Sequence, residues 1–231
     1  MDIVFENYST NYFENLTGKI SQNCQVFSNK ITLDKFIAVL MNVKYANGKM
    51  LIDGKISNNV ISKYRGFYVV DEFMLYEHLN VYDNLSLVLR SMKMSPVTIY
   101  RRIDSLNESL NVDLDNKLKE CDDDTIIKLF YAKVVLAQSH FVIIKNYNNY
   151  TKIFAKKNMR KLTQMFDEKN INYIILCDKK KKLVDDLPIL KLGKSSISDV
   201  KWFEHLLKLY IFSFLKNFNN IFSVLFHLDL W

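Results

Sequence analysis

Glycine and proline are scarce in this chain, with 5 glycines and 2 prolines among 231 residues. Few positions can take left-handed backbone cheaply and few break a helix, so most of the chain is expected in regular elements. Cysteine is equally thin. Cys24, Cys121 and Cys177 are odd in number, far apart and without a CxxC pair. That argues against a disulfide framework or a zinc site and suits a reducing compartment. The 4 histidines are scattered, and no metal site is expected. No run reaches the ~18 apolar residues that a bilayer span needs. The opening MDIVFENYST reads as neither a signal peptide nor an anchor.

What is present is a globular balance, 49% apolar and 25% charged. The length suits one large domain, or a domain with a small appendage. The net charge of +7 raises nucleic acid or an anionic membrane as partners, but the lysines are spread along the chain. The dense run is short, Lys179 to Lys182. A solvated surface is the expectation, with no nucleic acid bound.

Taken in order, residues 2–31 carry short segments, DIVF, GKIS and CQVFSNKI, that predict strands of a small antiparallel sheet. Leu33, Phe36, Ile37, Leu40 and Met41 are helically spaced, predicting a helix over 33–43. Asn47-Gly48 and Asp53-Gly54 are turn signals around KMLI. GFYVV (66–70) predicts a strand, followed by a helix from about Val81 and, after Pro96, another over 97–111. The acidic triplet Asp122 to Asp124 precedes a helix from Thr125 to about Gln138, where carboxylates would cap free N–H groups. FVII and INYIILC then read as buried strands on either side of a helix over 155–169. Helices alternating with apolar strands predict a parallel sheet with helices on both faces.

This order of pieces resembles the ATP-binding subunit of an ABC transporter from about residue 2 to residue 194. Its anchors are GKMLIDGK (48–55) with GFYVVDEFMLYEHLNVYDNLSLVL (66–89), then the 122–152 stretch, then NYIILCD (172–178). Leu75, Leu79, Val81, Asn84 and Leu85 keep the family's spacing. The resemblance implies an α/β fold of the P-loop NTPase type: a mixed sheet core, an N-terminal antiparallel β subdomain and a helical subdomain over about 86–138. The ATPase-like domain would cover 1–198, followed by an amphipathic helical extension over 199–231.

The family's chemistry does not follow the resemblance. A phosphate-binding loop needs glycines so that backbone N–H groups can wrap the anion, then a Lys and a Ser/Thr. The matching CQVFSNKIT has Lys30 at the lysine position and Thr32 nearby, but no glycine, with Cys24 and Asn29 at two glycine places. Asp71 stands for the amide that helps to place Mg²⁺ and water. Cys121 to Thr125 stands for the signature that closes over the partner's γ-phosphate. Lys145 and Asn146 take the places of the metal-ordering Asp and the catalytic Glu, and Lys152 the place of the D-loop Asp. The switch histidine falls on Cys177 or Asp178. An amide cannot take a proton from water, which removes general-base assistance worth ~10²–10⁴-fold. No hydrolysis of ATP is expected, and no cofactor. Tyr12 keeps an aromatic where adenine would stack, which with Lys30 and Thr32 leaves residual nucleotide binding as an alternative.

The resemblance further implies a membrane permease as partner, received over about Glu72 to Leu85, with Phe73, Tyr76, Leu79 and Tyr82 forming the socket. It implies a head-to-tail dimer with an identical or a different ATPase-like subunit, at the inner face of the cell membrane. Peptide or bacteriocin export or immunity is one setting for such a subunit. An interaction or regulatory module detached from transport is the alternative of a different class. Beyond Asp199 the chain leaves the family's core. Phe203, Leu206, Leu207, Tyr210, Ile211, Phe214 and Phe218 are helically spaced. Such a helix would pack on protein or lie at the lipid interface.

Overall fold

The computed structural model describes residues 2–21, 23–41, 47–56, 67–71, 74–139, 141–147 and 152–199. The expected tail from 200 to 231 and the socket residue Phe73 lie outside them. In chain order the elements begin with β1 (Ile3–Ser9), β2 (Leu16–Ile20), β3 (Cys24–Phe27), α1 (Lys30–Leu40), β4 (Asn47–Ile52), β5 (Lys55–Ile56) and β6 (Tyr68–Val70). They continue with α2 (Val81–Ser91), α3 (Pro96–Leu110), α4 (Asp123–Leu136), β7 (Phe141–Asn146), α5 (Lys156–Glu168), β8 (Asn172–Cys177), β9 (Ile189–Leu192) and β10 (Ile197–Asp199).

Two sheets result. One is antiparallel, in the order β2-β1-β4-β5; the other has the order β10-β9-β3-β8-β7-β6. In the second, β6, β7, β8, β3 and β9 run parallel and β10 turns back against β9. Strand periodicity divides the core in two. Val142 and Ile144 of β7, with Tyr173 and Ile175 of β8, face the cluster built by α2, α3, α4 and α5. Phe141, Ile143, Ile174 and Leu176 face a second cluster with α1 and the antiparallel sheet. Both faces of these strands are buried, which is why FVII and YIIL show no polar alternation.

Three sequence expectations need correction. CQVF belongs to the parallel sheet, between β8 and β9, and not to the antiparallel one. Its Cys24, Gln25 and Val26 are all buried, as a central strand requires, with the Gln25 amide bonding to Val184 O and Leu183 N. The first helix starts at Lys30 instead of 33, because Asn29 is its N-cap and accepts from Thr32 N at 2.9 Å. Asn47-Gly48 is not a turn but the irregular start of β4, where the register against β1 shifts between Glu6 and Ser9. Gly48 has φ +79°, and a Cβ there would stand 2.2 Å from Asn7 O. The glycine thus lets a bulged strand pass its neighbour. Gly18 does similar work between the sheets: a Cβ there would lie 2.7 Å from Ile197 Cβ, where Thr17 N donates to Ser195 O.

Candidate functional site

The C-terminal ends of β3, β7, β8 and β6 lie on one edge of the parallel sheet, where open α/β sheets place their ligands. Between β3 and α1 there are only Ser28 and Asn29. The strand runs through the positions where a phosphate-binding loop would curl. What is left is tied down: Ser28 N donates to Cys177 O at 3.2 Å, and Ser28 Oγ donates to Leu192 O at 2.8 Å. Asn29 Oδ1 accepts both from Thr32 N and from Thr32 Oγ1, at 2.9 and 3.0 Å. The helix end is capped by its own side chain, and the Thr32 hydroxyl is committed to that cap. A triphosphate has no cradle here.

At the end of β7, the Lys145 ammonium lies 3.0 Å from Asp71 Oδ2, just past β6, and 3.7 Å from Asp34 Oδ1, on α1. The Tyr147 hydroxyl donates to Asp34 Oδ1 at 2.5 Å, and Lys145 Nζ sits 5.2 Å from the Tyr147 ring centroid. Burial, and then the hydrogen bond and charge of Asp34, push the Tyr147 phenol well above its ordinary pKa, so it stays a donor. The sequence treats Lys145 and Asp71 as two separate departures from the family pattern. The structure brings them together as one ion pair, adding Asp34 and Tyr147, which had no signal beyond lying one turn into a helix and one residue past a strand. A magnesium ion does not fit these groups, because a tethered ammonium already sits between the two carboxylates. Asn146, the next residue, donates to Phe154 O at 3.4 Å and is held as a structural amide.

The acidic triplet is engaged in packing. Asp122 caps α4, and the Thr125 N–H it accepts holds its carboxyl below the usual range. Asp123 accepts from Asn158, and Asp124 pairs with Lys128 and Lys161. At the switch position, the Cys177 thiol is pushed up to about 12, chiefly by burial, and Asp178 beside it is half-buried. Cys24 is also pushed up to about 12. Neither thiol is a nucleophile at neutral pH.

Tyr12, exposed, and Thr32 line one cavity of about 680 Å³, together with Phe13, Lys35, Lys194 and Ser195. Lys30, two residues before Thr32, is exposed and does not line it. Lys35 and Lys194 escaped the sequence reading, because the second comes from the β9–β10 turn and meets α1 only in the folded chain. Of the socket residues, Tyr76 is exposed, Leu79 half-buried, and Tyr82 packs partly against the helical core. The Asn84 amide holds this segment by accepting from Tyr76 N and donating to the carbonyls of Tyr76, Leu79 and Asn80.

Beneath the same segment lies Lys133 of α4, 3% exposed, whose ammonium donates to Met74 O and sits 5.8 Å from the Tyr76 ring centroid. Burial pushes its pKa down to about 8, against 10.5 when unfolded. The folded state therefore binds this proton less readily than the unfolded one. Its penalty is full below pH 8 and is relieved as pH rises from about 8 towards 10.5. Lys133→Met is expected to be more stable than the parent at pH 7 by about 1–3 kcal/mol. That advantage should shrink between pH 8 and 10. Urea midpoints of both proteins at each pH check it. The comparison cancels the buried thiols, which weaken both proteins above pH 9.

No protein-family model matches the chain. Among curated proteins, it is 35% identical over 94 residues to the sn-glycerol-3-phosphate import ATP-binding protein UgpC of Psychromonas ingrahamii, across 39% of this chain and 25% of that protein. It is 34% identical over 84 residues to the maltose/maltodextrin import ATP-binding protein MalK of Yersinia pestis, across 36% and 22%. These alignments span about a quarter of the relatives' length or less. In three dimensions, it superimposes on cbiO1 of Clostridium perfringens, described as part of the ABC transporter complex cbiONQ. The TM-score is 0.61 at 16% identity, covering 85% of this chain and 86% of that one. Among the described residues no helix is long and apolar enough to cross a membrane. In fold this chain is similar to cbiO1 of that ABC transporter complex, and over about a third of its sequence it is similar to the ATP-binding proteins of these importers.

Proposed function

We propose that this chain is a non-hydrolysing, ATPase-like subunit of an ABC-type membrane transporter, with a structural or regulatory role. The observation that carries the proposal is Lys145, whose ammonium joins Asp71 and Asp34 where the family would order magnesium. The two-residue β3–α1 turn supports it from the phosphate side. The subunit docks on a permease at the inner face of the cell membrane, through Tyr76, Leu79 and Tyr82, with Phe73 beside them in sequence. It pairs with a second ATPase-like subunit, of its own or another kind, and serves transport such as peptide or bacteriocin export or immunity.

The Tyr12 cavity, with Lys35 and Lys194, favours one second reading: residual nucleotide binding without turnover. Purified protein with Mg-ATP should release phosphate no faster than buffer, and affinity purification from membranes should bring down a permease. Tyr76→Glu should abolish the capture, by placing a charge in the socket's exposed ring. Measurable Mg²⁺-dependent turnover sinks the proposal. ATP binding that is indifferent to Mg²⁺ and lost in Tyr12→Ala establishes the second reading.

A further inference from the structure

We infer that the groove between α3 and the C-terminal ends of α4 and α5 is a binding site for a small phosphomonoester. The site lies on the helical layer, is formed by none of the residues of the sheet-edge site, and does not depend on the transporter reading. The cavity is about 570 Å³, within the range of small-molecule sites. Its cations are Arg101 and Arg102 of α3 and Lys169, the C-cap of α5. No carboxylate is among its lining residues. Elsewhere Arg90, Lys156, Arg160 and Lys161 are each in an ion pair, but among the described residues these three cations are in none.

The charge matches one ligand class. Two helix C-termini near the groove, those of α4 and α5, contribute about half a negative charge each. Three cations exceed this by about two positive charges, which matches the −1.5 to −2 of a phosphomonoester at pH 7. Arginine forks suit phosphate oxygens bidentately. Thr98 and Ser105 add hydroxyls along the same side of α3. Leu106 and Val135, both half-buried, offer an apolar wall for the rest of the molecule. A bare inorganic ion would leave that wall unused.

Calorimetric titration with phenyl phosphate tests the inference, with inorganic phosphate and phenol as comparison probes and salt held low and fixed. Phenyl phosphate is expected to bind with Kd of about 0.1–1 mM, several-fold tighter than inorganic phosphate, and phenol not at all. Arg101→Ala/Arg102→Ala should weaken it by about tenfold or more. Lys169→Ala and Arg102→Lys, which disturb α3 less, provide the readout if the double variant fails to fold. Each should weaken binding measurably. No saturation by about 10 mM, equal affinity in folded variants, or binding only to phosphatidic acid vesicles overturns the inference.

Discussion

Lys145→Asp is expected to destabilise the protein by about 2–4 kcal/mol in the presence of a chelator, and to make its stability depend on divalent cations. The substitution removes the ammonium that bridges Asp71 and Asp34, and adds a third carboxylate to a space that is four-fifths shielded at Asp71. Without the ammonium the two carboxylates repel each other, and the discount for Asp34, about half exposed, keeps the cost at the lower end of the buried range. Three carboxylates from α1, β6 and β7 then form a hard-oxygen site of the kind Mg²⁺ and Mn²⁺ accept. Thermal melts with chelator and with Mn²⁺ should therefore coincide for the parent and separate for the variant. Lys145→Met, apolar and of similar length, should lose stability without gaining any response to metal. Equal melts for parent and variant in chelator would show that the ion pair contributes nothing to the fold.

The second large effect is expected at Asn84, which is fully buried. Its two amide protons are shared among three carbonyls, and its oxygen accepts from Tyr76 N at 2.8 Å. Asn84→Ala leaves a buried N–H and several carbonyls unpaired, at a cost of about 3 kcal/mol after relaxation. Asn84→Asp keeps the shape and the acceptor but turns a donor into a charge facing carbonyls, so it should be at least as damaging. Hydrogen exchange should show the loss concentrated over residues 76–80, ahead of any change in the sheet. Partner capture should fall with it, because the exposed Tyr76 ring is aimed by this backbone. A uniform loss of protection across the chain would instead mark Asn84 as an ordinary core residue.

How far the sequence carried the reading depended on the range of the interaction. The strands FVII and NYIILC were legible because both of their faces are buried, which leaves a continuous apolar run with no partner needed to recognise it. The cap at Asp122 and the helix starts at Val81 and Pro96 were legible because capping acts within three residues. CQVF falls in the other sheet for the opposite reason: four residues show that a strand forms, but not which neighbour it pairs with. Asn47-Gly48 signals a turn because the dipeptide permits positive φ, and a bulge uses the same permission.

The same division runs through the candidate site. By itself, the sequence determined that CQVFSNKIT carries no glycine and that residues 71, 145 and 146 are Asp, Lys and Asn; that metal and water would be handled there is what the resemblance implies. The residue types are read directly from the chain, and the roles of their places come from the resemblance. Only the tertiary structure decided that Lys145, Asp71 and Asp34 form one cluster. Lys145 meets Asp71 and Asp34 because β6 and β7 end, and α1 begins, at one edge of the sheet, and Ser28 and Asn29 are tied into neighbouring strand and helix. Opposite charges 74 and 111 residues apart in the chain have no local signature. A charge exchanged on one strand is compensated on another only where backbone pairing has fixed both at the same edge.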